Sequence, residues 1–235
     1  IRRLEILKPY TSSIRTFSSL DEHARIVQIA KDMGFKTLVG AWLSDDMQSN
    51  ENEIDSLIKL ANNNLVDVAA VGNEVIYRKE LEENQLISYI NYVKENIGDI
   101  PVGYVDAYYE FRDRPNITDA CDVILANCYP FWEGCAAEYS LLYMKDMYNE
   151  AIKASNGKKV IITETGWPSK GSDLWGAHPS YTNYLKYFIN AQLWSKDQGI
   201  DMFYFSSFDE SWKVEVEGDV GAYWGLWDKD EVIKF

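Results

Sequence analysis

Short apolar runs rich in β-branched residues alternate along the chain with longer segments whose apolar residues recur at helical spacing. Seven runs have the length and composition of strands: Ser13–Phe17, Thr37–Trp42, Val66–Val71, Pro101–Tyr104, Val123–Asn127, Lys159–Thr163 and Met202–Ser206. Six segments have the period of helices: Arg2–Lys8, Ser19–Met33, Asn50–Asn62, Asn84–Ile97, Ala137–Ser155 and Pro179–Gln198. This order predicts an α/β fold of βα units around a parallel sheet.

Two details of the helices extend this prediction. Ser19 and Glu22 stand three residues apart and predict a capping box at the start of the second helix. The last helix carries a stripe that we interpret as core: Tyr184, Leu185, Phe188, Ile189 and Leu193. Because the chain opens on a helix, we expect a (β/α)8 TIM barrel whose first strand lies outside the recorded sequence.

Length and composition add limits on domains and partners. The sequence contains no internal repeat and no linker, so residues 1–235 are predicted to form one domain. With 37 acidic and 23 basic side chains, the net charge is −14. Such a surface repels nucleic acid and anionic lipid, and no apolar run approaches the roughly 20 residues that span a bilayer. We therefore expect neither nucleic acid nor a membrane as a partner. As a separate expectation, the protein is taken to be a monomer.

The cysteines do not predict a metal site. Cys121, Cys128 and Cys135 lie far from both histidines, so no zinc-ligand spacing exists. We interpret them as buried or free thiols, and a Cys121–Cys135 or Cys128–Cys135 bridge stays open if the protein is secreted. No cofactor and no metal are expected.

Two strand ends carry a glutamate. Glu74 follows the third run, within VGNE, and Glu164 follows the sixth run, within ETGWPS. Because the loops at the C-terminal ends of barrel strands carry the chemistry, these two carboxylates are candidates for catalysis. Paired carboxylates suit glycosidic cleavage, since one donates a proton while the other attacks or stabilises the reacting carbon. Asn73, beside Glu74, is positioned to donate its amide to a sugar hydroxyl.

The sequence lacks the motifs of other common enzyme classes, and it is rich in aromatic residues. The sequence has no G-x-S-x-G elbow, phosphate-binding loop, H-E-x-x-H helix or dinucleotide fingerprint. Aromatic residues make up 14% of the chain, and Trp and Tyr rings suit stacking on the CH faces of sugars. These observations favour a carbohydrate-active enzyme.

Several motifs together resemble glycoside hydrolase family 17, the β-1,3-glucan enzymes of plants and fungi. The resemblance is carried nearly end to end by IRTF, VGAWLSDD, VGNE, NCYPFW, ETGWPS, FDESWK and WGLW, and it is nearer the fungal cell-wall branch. It implies a retaining mechanism on a TIM barrel, with Glu74 as the general acid/base and Glu164 as the nucleophile. In the family, the acid/base stands at the end of the fourth strand and the nucleophile at the end of the seventh. Here Glu74 ends the third predicted strand and Glu164 the sixth, so the interval of three strands agrees and the difference of one strand supports a missing first strand.

The resemblance also implies roles for surrounding residues. Glu210 and Lys213, with Glu217 as a third, flank the catalytic pair, although an ordinary surface ion pair is the alternative for Glu210 and Lys213. Tyr129 contacts the nucleophile or the bound sugar. The predicted stacking platforms are Trp132 and Trp167, followed by Trp42, Tyr104 and Tyr108. Phe17 departs from the family, whose members commonly carry Tyr there, so one sugar contact is lost.

A covalent glucosyl-enzyme can be resolved by water or by another sugar hydroxyl. The resemblance therefore implies a β-1,3-glucan hydrolase with strong glucanosyltransferase activity on laminarioligosaccharides, located outside the cell or in the cell wall. Two alternatives stay open: a non-catalytic glucan-binding wall protein, and a retaining β-glycanase of another linkage. Retention of both glutamates favours the enzyme over the binder.

Overall fold

The computed structural model describes residues 1–235 and contains seven strands and nine α-helices. The strands are β1 Ser13–Thr16, β2 Lys36–Ala41, β3 Val68–Asn73, β4 Val102–Ala107, β5 Ile124–Asn127, β6 Val160–Thr165 and β7 Met202–Tyr204. The helices are α1 Arg2–Leu7, α2 Asp21–Asp32, α3 Met47–Asn62, α4 Glu83–Asn96, α5 Tyr108–Asp113, α6 Pro115–Ala120, α7 Ser140–Ala154, α8 Tyr181–Gln198 and α9 Val214–Glu217.

The strands form one sheet in the order β1-β2-β3-β4-β5-β6-β7. β1 pairs with β2 in parallel from Ser13 opposite Lys36, and β2 pairs with β3 from Leu38 opposite Val68. Strands of a parallel sheet are buried on both faces, which explains why they occur as continuous apolar runs in the sequence. All seven predicted strands are present, and parallel pairing makes their C-terminal ends the edge on which the site loops lie.

The chain divides into two compact units. Unit 1 comprises Ile1–Ala126 and Glu150–Val160, and unit 2 comprises Asn127–Asn149 and Ile161–Phe235. Unit 1 holds β1 to β4, and unit 2 holds β7 and most of β6. The single domain expected from the sequence stays a prediction.

Local side chains explain where the longer helices begin and end. Asp46 accepts hydrogen bonds from the backbone N–H groups of Gln48 and Ser49, so α3 begins three residues before the predicted start. Ser180 caps α8 in the same way, and Gly199 ends it in the left-handed conformation with φ 63°.

Two predictions about the helices are wrong. Ser19 and Glu22 form no capping box, because the Ser19 hydroxyl donates to the carboxylate and the carbonyl oxygen of Glu53 instead. In α8, Ile189 and Leu193 are exposed, whereas the inward side is built from Tyr184, Tyr187, Ala191 and Ser195. A third difference is that α5, α6 and α9 have no counterpart in the sequence prediction, since four to six residues are too few to show a helical period.

No helix is both long enough and apolar enough to cross a lipid bilayer.

Candidate active site

Glu74 directly follows β3 and anchors a group of side chains within unit 1. Its backbone has φ 53°, a conformation that non-glycine residues adopt rarely and mostly at functional positions. Its N–H donates to the carbonyl of Val105 on β4 over 2.8 Å. The preceding Gly72 has φ 84°, and a Cβ there would press against the Tyr104 ring at 3.3 Å. The sharp turn that presents Glu74 therefore depends on a glycine and on the neighbouring strand.

Asn73, next to Glu74, is oriented by an arginine that the sequence analysis did not single out. Arg15 on β1 donates from Nη2 to the Asn73 Oδ1 over 2.6 Å. This hydrogen bond fixes which end of the Asn73 amide is the oxygen and which is the NH₂ donor. The NH₂ group is the end that donation to a sugar hydroxyl requires.

A buried pair on β4 supports the turn that carries Glu74. The Tyr104 hydroxyl donates to the Asp106 carboxylate and accepts from the N–H of Ile76 over 2.9 Å. Asp106 also accepts from the N–H groups of Tyr77 over 3.3 Å and Ala107 over 2.7 Å. Burial, with the negative charges of Glu74 and Glu110, raises the pKa of Asp106 to about 7. Asp106 was missed because the predicted strand ended at Tyr104.

The predicted aromatic platforms of unit 1 have different surroundings. Tyr104 is fully buried, so it cannot stack on a sugar, and that prediction is wrong. Trp42 is 38% exposed, with the Arg78 guanidinium 4.5 Å from its ring centre. Phe17 is half-buried beneath the guanidinium of Arg15 at 4.3 Å. Tyr108 is half-buried and meets Tyr109 edge-on at 5.2 Å.

Glu164 is the next-to-last residue of β6 and lies within unit 2, 7% exposed. Asn127 donates from Nδ2 to its Oε1 over 3.2 Å, and the Tyr129 hydroxyl donates to its Oε2 over 2.8 Å. Thr163 donates to the Asn127 Oδ1 over 2.9 Å and so fixes which end of that amide faces Glu164. Both carboxylate oxygens accept a hydrogen bond, so the orientation of the group is fixed. Asn127 and Thr163 were missed as site residues, although Asn127 stands in the NCYPFW motif.

A cation and two further carboxylates form a cluster beside Glu164. Lys213 is 7% exposed, pairs with Glu210 at 2.6 Å, and lies 3.9 Å above the ring of Phe205. Burial raises the pKa of Glu217 to about 7; the charge of Lys213 lowers it, whereas the charges of Glu164 and Glu210 raise it further. Since Lys213 is buried, it does not form an ordinary surface ion pair.

The two predicted tryptophan platforms of unit 2 differ in exposure. Trp132 is 38% exposed and lies on Trp224 at 5.4 Å, with an angle of 42° between the rings. Trp167 has no exposed surface, packs on Phe131 at 5.4 Å and donates its indole N–H to the carbonyl of His178. The prediction that Trp167 is a stacking platform is therefore wrong, because the ring is part of the core.

The cysteines are unpaired thiols in this structure. Burial raises the pKa of Cys121 to about 12 and that of Cys128 further still. No group of three or more His, Cys, Asp or Glu side chains has the arrangement of a metal site.

Comparison with known proteins places the chain among glucan-processing enzymes. Residues 1–225 match the family model described as the BtgE/BtgC glycoside hydrolase domain. A glucan 1,3-beta-glucosidase of Arthroderma benhamiae is 30% identical, covering 98% of this chain and 81% of that protein. A glucan 1,3-beta-glucosidase of Saccharomyces cerevisiae is 26% identical, covering 99% and 82%.

A solved structure agrees with the fold. The glycoside hydrolase family 17 beta-1,3-glucanosyltransferase from Rhizomucor miehei superimposes with a TM-score of 0.91 at 30% identity, covering 99% of this chain and 87% of that one. An active-site mutant of the same enzyme in complex with laminaritriose gives the same values. The α/β fold class of the TIM-barrel type, predicted from the sequence, is confirmed.

Proposed function

Because the chain belongs to the BtgE/BtgC glycoside hydrolase domain family, within glycoside hydrolase family 17, we propose that it cleaves β-1,3-glucan with retention of configuration. In this proposal Glu164 is the nucleophile and Glu74 is the general acid/base. The observation that carries it is the environment of Glu164, a buried carboxylate whose two oxygens are held by Asn127 and Tyr129 at the end of a barrel strand.

Each step follows from the chemistry of these side chains. In the first step, Glu164 forms a bond to the anomeric carbon while the glycosidic bond breaks and Glu74 donates its proton to the leaving oxygen. In the second step, Glu74 takes a proton from the incoming hydroxyl, whose oxygen displaces Glu164. The oriented NH₂ of Asn73 donates to a sugar hydroxyl, and this contact strengthens as the ring becomes oxocarbenium-like.

The electrostatics of unit 2 support the assigned role of Glu164. Lys213 places a buried positive charge in the cluster that contains Glu164, Glu210 and Glu217. It offsets the mutual repulsion of three carboxylates beside one another, while burial raises the pKa of Glu217 to about 7. Tyr129 and Asn127 fix the direction in which the carboxylate attacks.

The similar proteins support the substrate and the transfer reaction. The relatives carry the name glucan 1,3-beta-glucosidase, and the Rhizomucor miehei enzyme is a beta-1,3-glucanosyltransferase whose mutant binds laminaritriose. We infer that laminarioligosaccharides are both donors and acceptors, so that a sugar hydroxyl competes with water for the intermediate. We further propose that the enzyme works as a monomer outside the cell or in the cell wall, where this polymer is accessible.

Product analysis tests the proposal. Wild type, Glu164→Gln and Glu74→Gln are incubated with laminarioligosaccharides, with Glu215→Gln as a control because Glu215 is exposed outside the site. We expect products both shorter and longer than the substrate from wild type and control, and none from Glu164→Gln. With an aryl glucoside whose leaving group needs no proton, Glu74→Gln should regain activity while Glu164→Gln should not. Activity of Glu164→Gln equal to wild type would overturn the assignment.

A further inference from the structure

Trp175 is the most exposed tryptophan of the chain, and its backbone conformation is unusual. Its side chain is 79% exposed, and its φ is 50°. It lies in a tight turn closed by reciprocal backbone hydrogen bonds between Leu174 and Ala177, each 2.9 Å long. Turns of this kind give positions of positive φ to Gly, Asn or Asp, because a large side chain is strained there. A large apolar ring at such a position contributes nothing to the core.

The turn holds the indole in a defined place. A Cβ on Gly134 would lie 2.4 Å from the Cε3 of Trp175, so the indole packs directly against the backbone of this glycine. The N–H of Gly176 donates to the carbonyl of Gly134 over 3.1 Å. On the other side of the loop, Ser172 donates to Asp219 from its N–H and its hydroxyl, over 3.0 and 2.8 Å. The ring is therefore fixed on one side and open to solvent on the other.

The loop that supports Trp175 begins at the nucleophile. Tyr129, which donates to Glu164, is followed by the exposed ring of Trp132 and then by Gly134. One residue separates Trp132 from Gly134, which contacts Trp175, so the Cα atoms of Trp132 and Gly134 are at most about 7 Å apart. Glu133, between them, accepts a hydrogen bond from the Tyr143 hydroxyl. Within unit 2, the short segment 129–134 thus links Glu164 to two exposed indoles, those of Trp132 and Trp175.

We propose that Trp175 is a remote sugar-binding platform on which a β-1,3-glucan chain stacks beyond the sugar unit at Trp132. The ligand class follows from the surface: a rigid indole with one free face binds the CH face of a pyranose, and a net charge of −14 disfavours anionic polymers. The proposal rests on the proposed function for its ligand. Its consequence is a preference for long chains, because short ones end before they reach Trp175.

Binding to an inactive enzyme separates this proposal from catalysis. Isothermal titration calorimetry compares Glu164→Gln with Glu164→Gln/Trp175→Ala, using laminarioligosaccharides of two to eight glucose units. We expect equal affinities for the shortest ligands and a loss of about 5- to 30-fold for the longest in the double variant. Trp175→Tyr in the same background should restore part of the affinity. Leu193→Ala, which truncates an exposed apolar side chain on α8, should change nothing.

Four other outcomes would overturn the proposal that Trp175 binds sugar. A loss that is equal at every length means that Trp175 only supports the loop, and no loss means that it does not touch the ligand. A concentration-dependent dimer of the wild type that Trp175→Ala abolishes assigns the ring to self-association, and absence of binding at every length removes the glucan ligand. Length-dependent binding by Glu164→Gln together with an inactive wild type would instead refute only the proposed function.

Discussion

Replacing Glu217 with Gln should stabilise the protein at neutral and alkaline pH but not in acid. Burial, together with the charges of Glu164 and Glu210, raises the pKa of Glu217 from an ordinary 4.5 to about 7. Between these values the folded protein keeps a proton that the unfolded chain has released, so the free energy of unfolding falls as the pH rises. Glutamine carries no charge and avoids this loss.

The size of the effect follows from the shift. A difference of about 2.5 between the folded and unfolded pKa corresponds to about 3 kcal/mol, reduced to about 1–2 kcal/mol because the side chain is partly in contact with water. For a chain of this length, 1 kcal/mol moves the melting temperature by about 2–4 °C. We therefore expect Glu217→Gln to melt about 2–8 °C above wild type at pH 8.

Thermal unfolding between pH 4 and pH 8 measures this gap directly. The gap should be smallest below pH 4.5, widen through the interval from 4.5 to 7, and stay constant above it. Glu215→Gln is the matched control, because Glu215 lies on the same short helix and is exposed. A gap that does not change with pH, or one that closes as the pH rises, would refute the reasoning.

Three further outcomes follow from the contacts described. Tyr129→Phe removes a hydrogen bond to Glu164, the proposed nucleophile, so kcat on laminarioligosaccharides should fall about 10- to 100-fold. An unchanged kcat would remove Tyr129 from the proposed mechanism. Lys234 pairs with Asp209 at 2.7 Å, with exposures of 13% and 9%, and Lys234→Met should cost about 3–5 kcal/mol in urea unfolding. Burial raises the pKa of Cys121 to about 12, so its thiol should react with a disulfide reagent at pH 8 only after denaturation.

The strands were predictable because burial on both faces makes them continuous apolar runs, but their ends were not. β3 continues to Asn73 and β4 to Ala107, in each case beyond the last apolar residue of the predicted strand. The polar side chains at these ends belong to the candidate site. A strand prediction based on hydrophobicity ends before these polar residues and therefore leaves them out. Asp106 was missed for this reason.

The two glutamates proposed as catalytic were recognisable by their motifs, whereas the sequence did not distinguish exposed from buried aromatic residues. Ring type shows what a side chain can bind, but the packing decides whether a face is open. Trp167 follows Glu164 closely and is buried, whereas Trp175, which was not among the predicted platforms, is 79% exposed. Arg15 was equally hidden, because its role depends on pairing with Asn73, 58 residues away.

The distribution of tryptophan between the two units gives the molecule an uneven set of optical reporters. Seven of the eight indoles lie in unit 2, and unit 1 contains Trp42 alone. Fluorescence excited selectively at tryptophan therefore reports almost entirely on unit 2, whereas far-ultraviolet circular dichroism reports on the helices of both. If the two signals change together on denaturation, the chain unfolds in one cooperative transition, and if they separate, the units unfold in sequence.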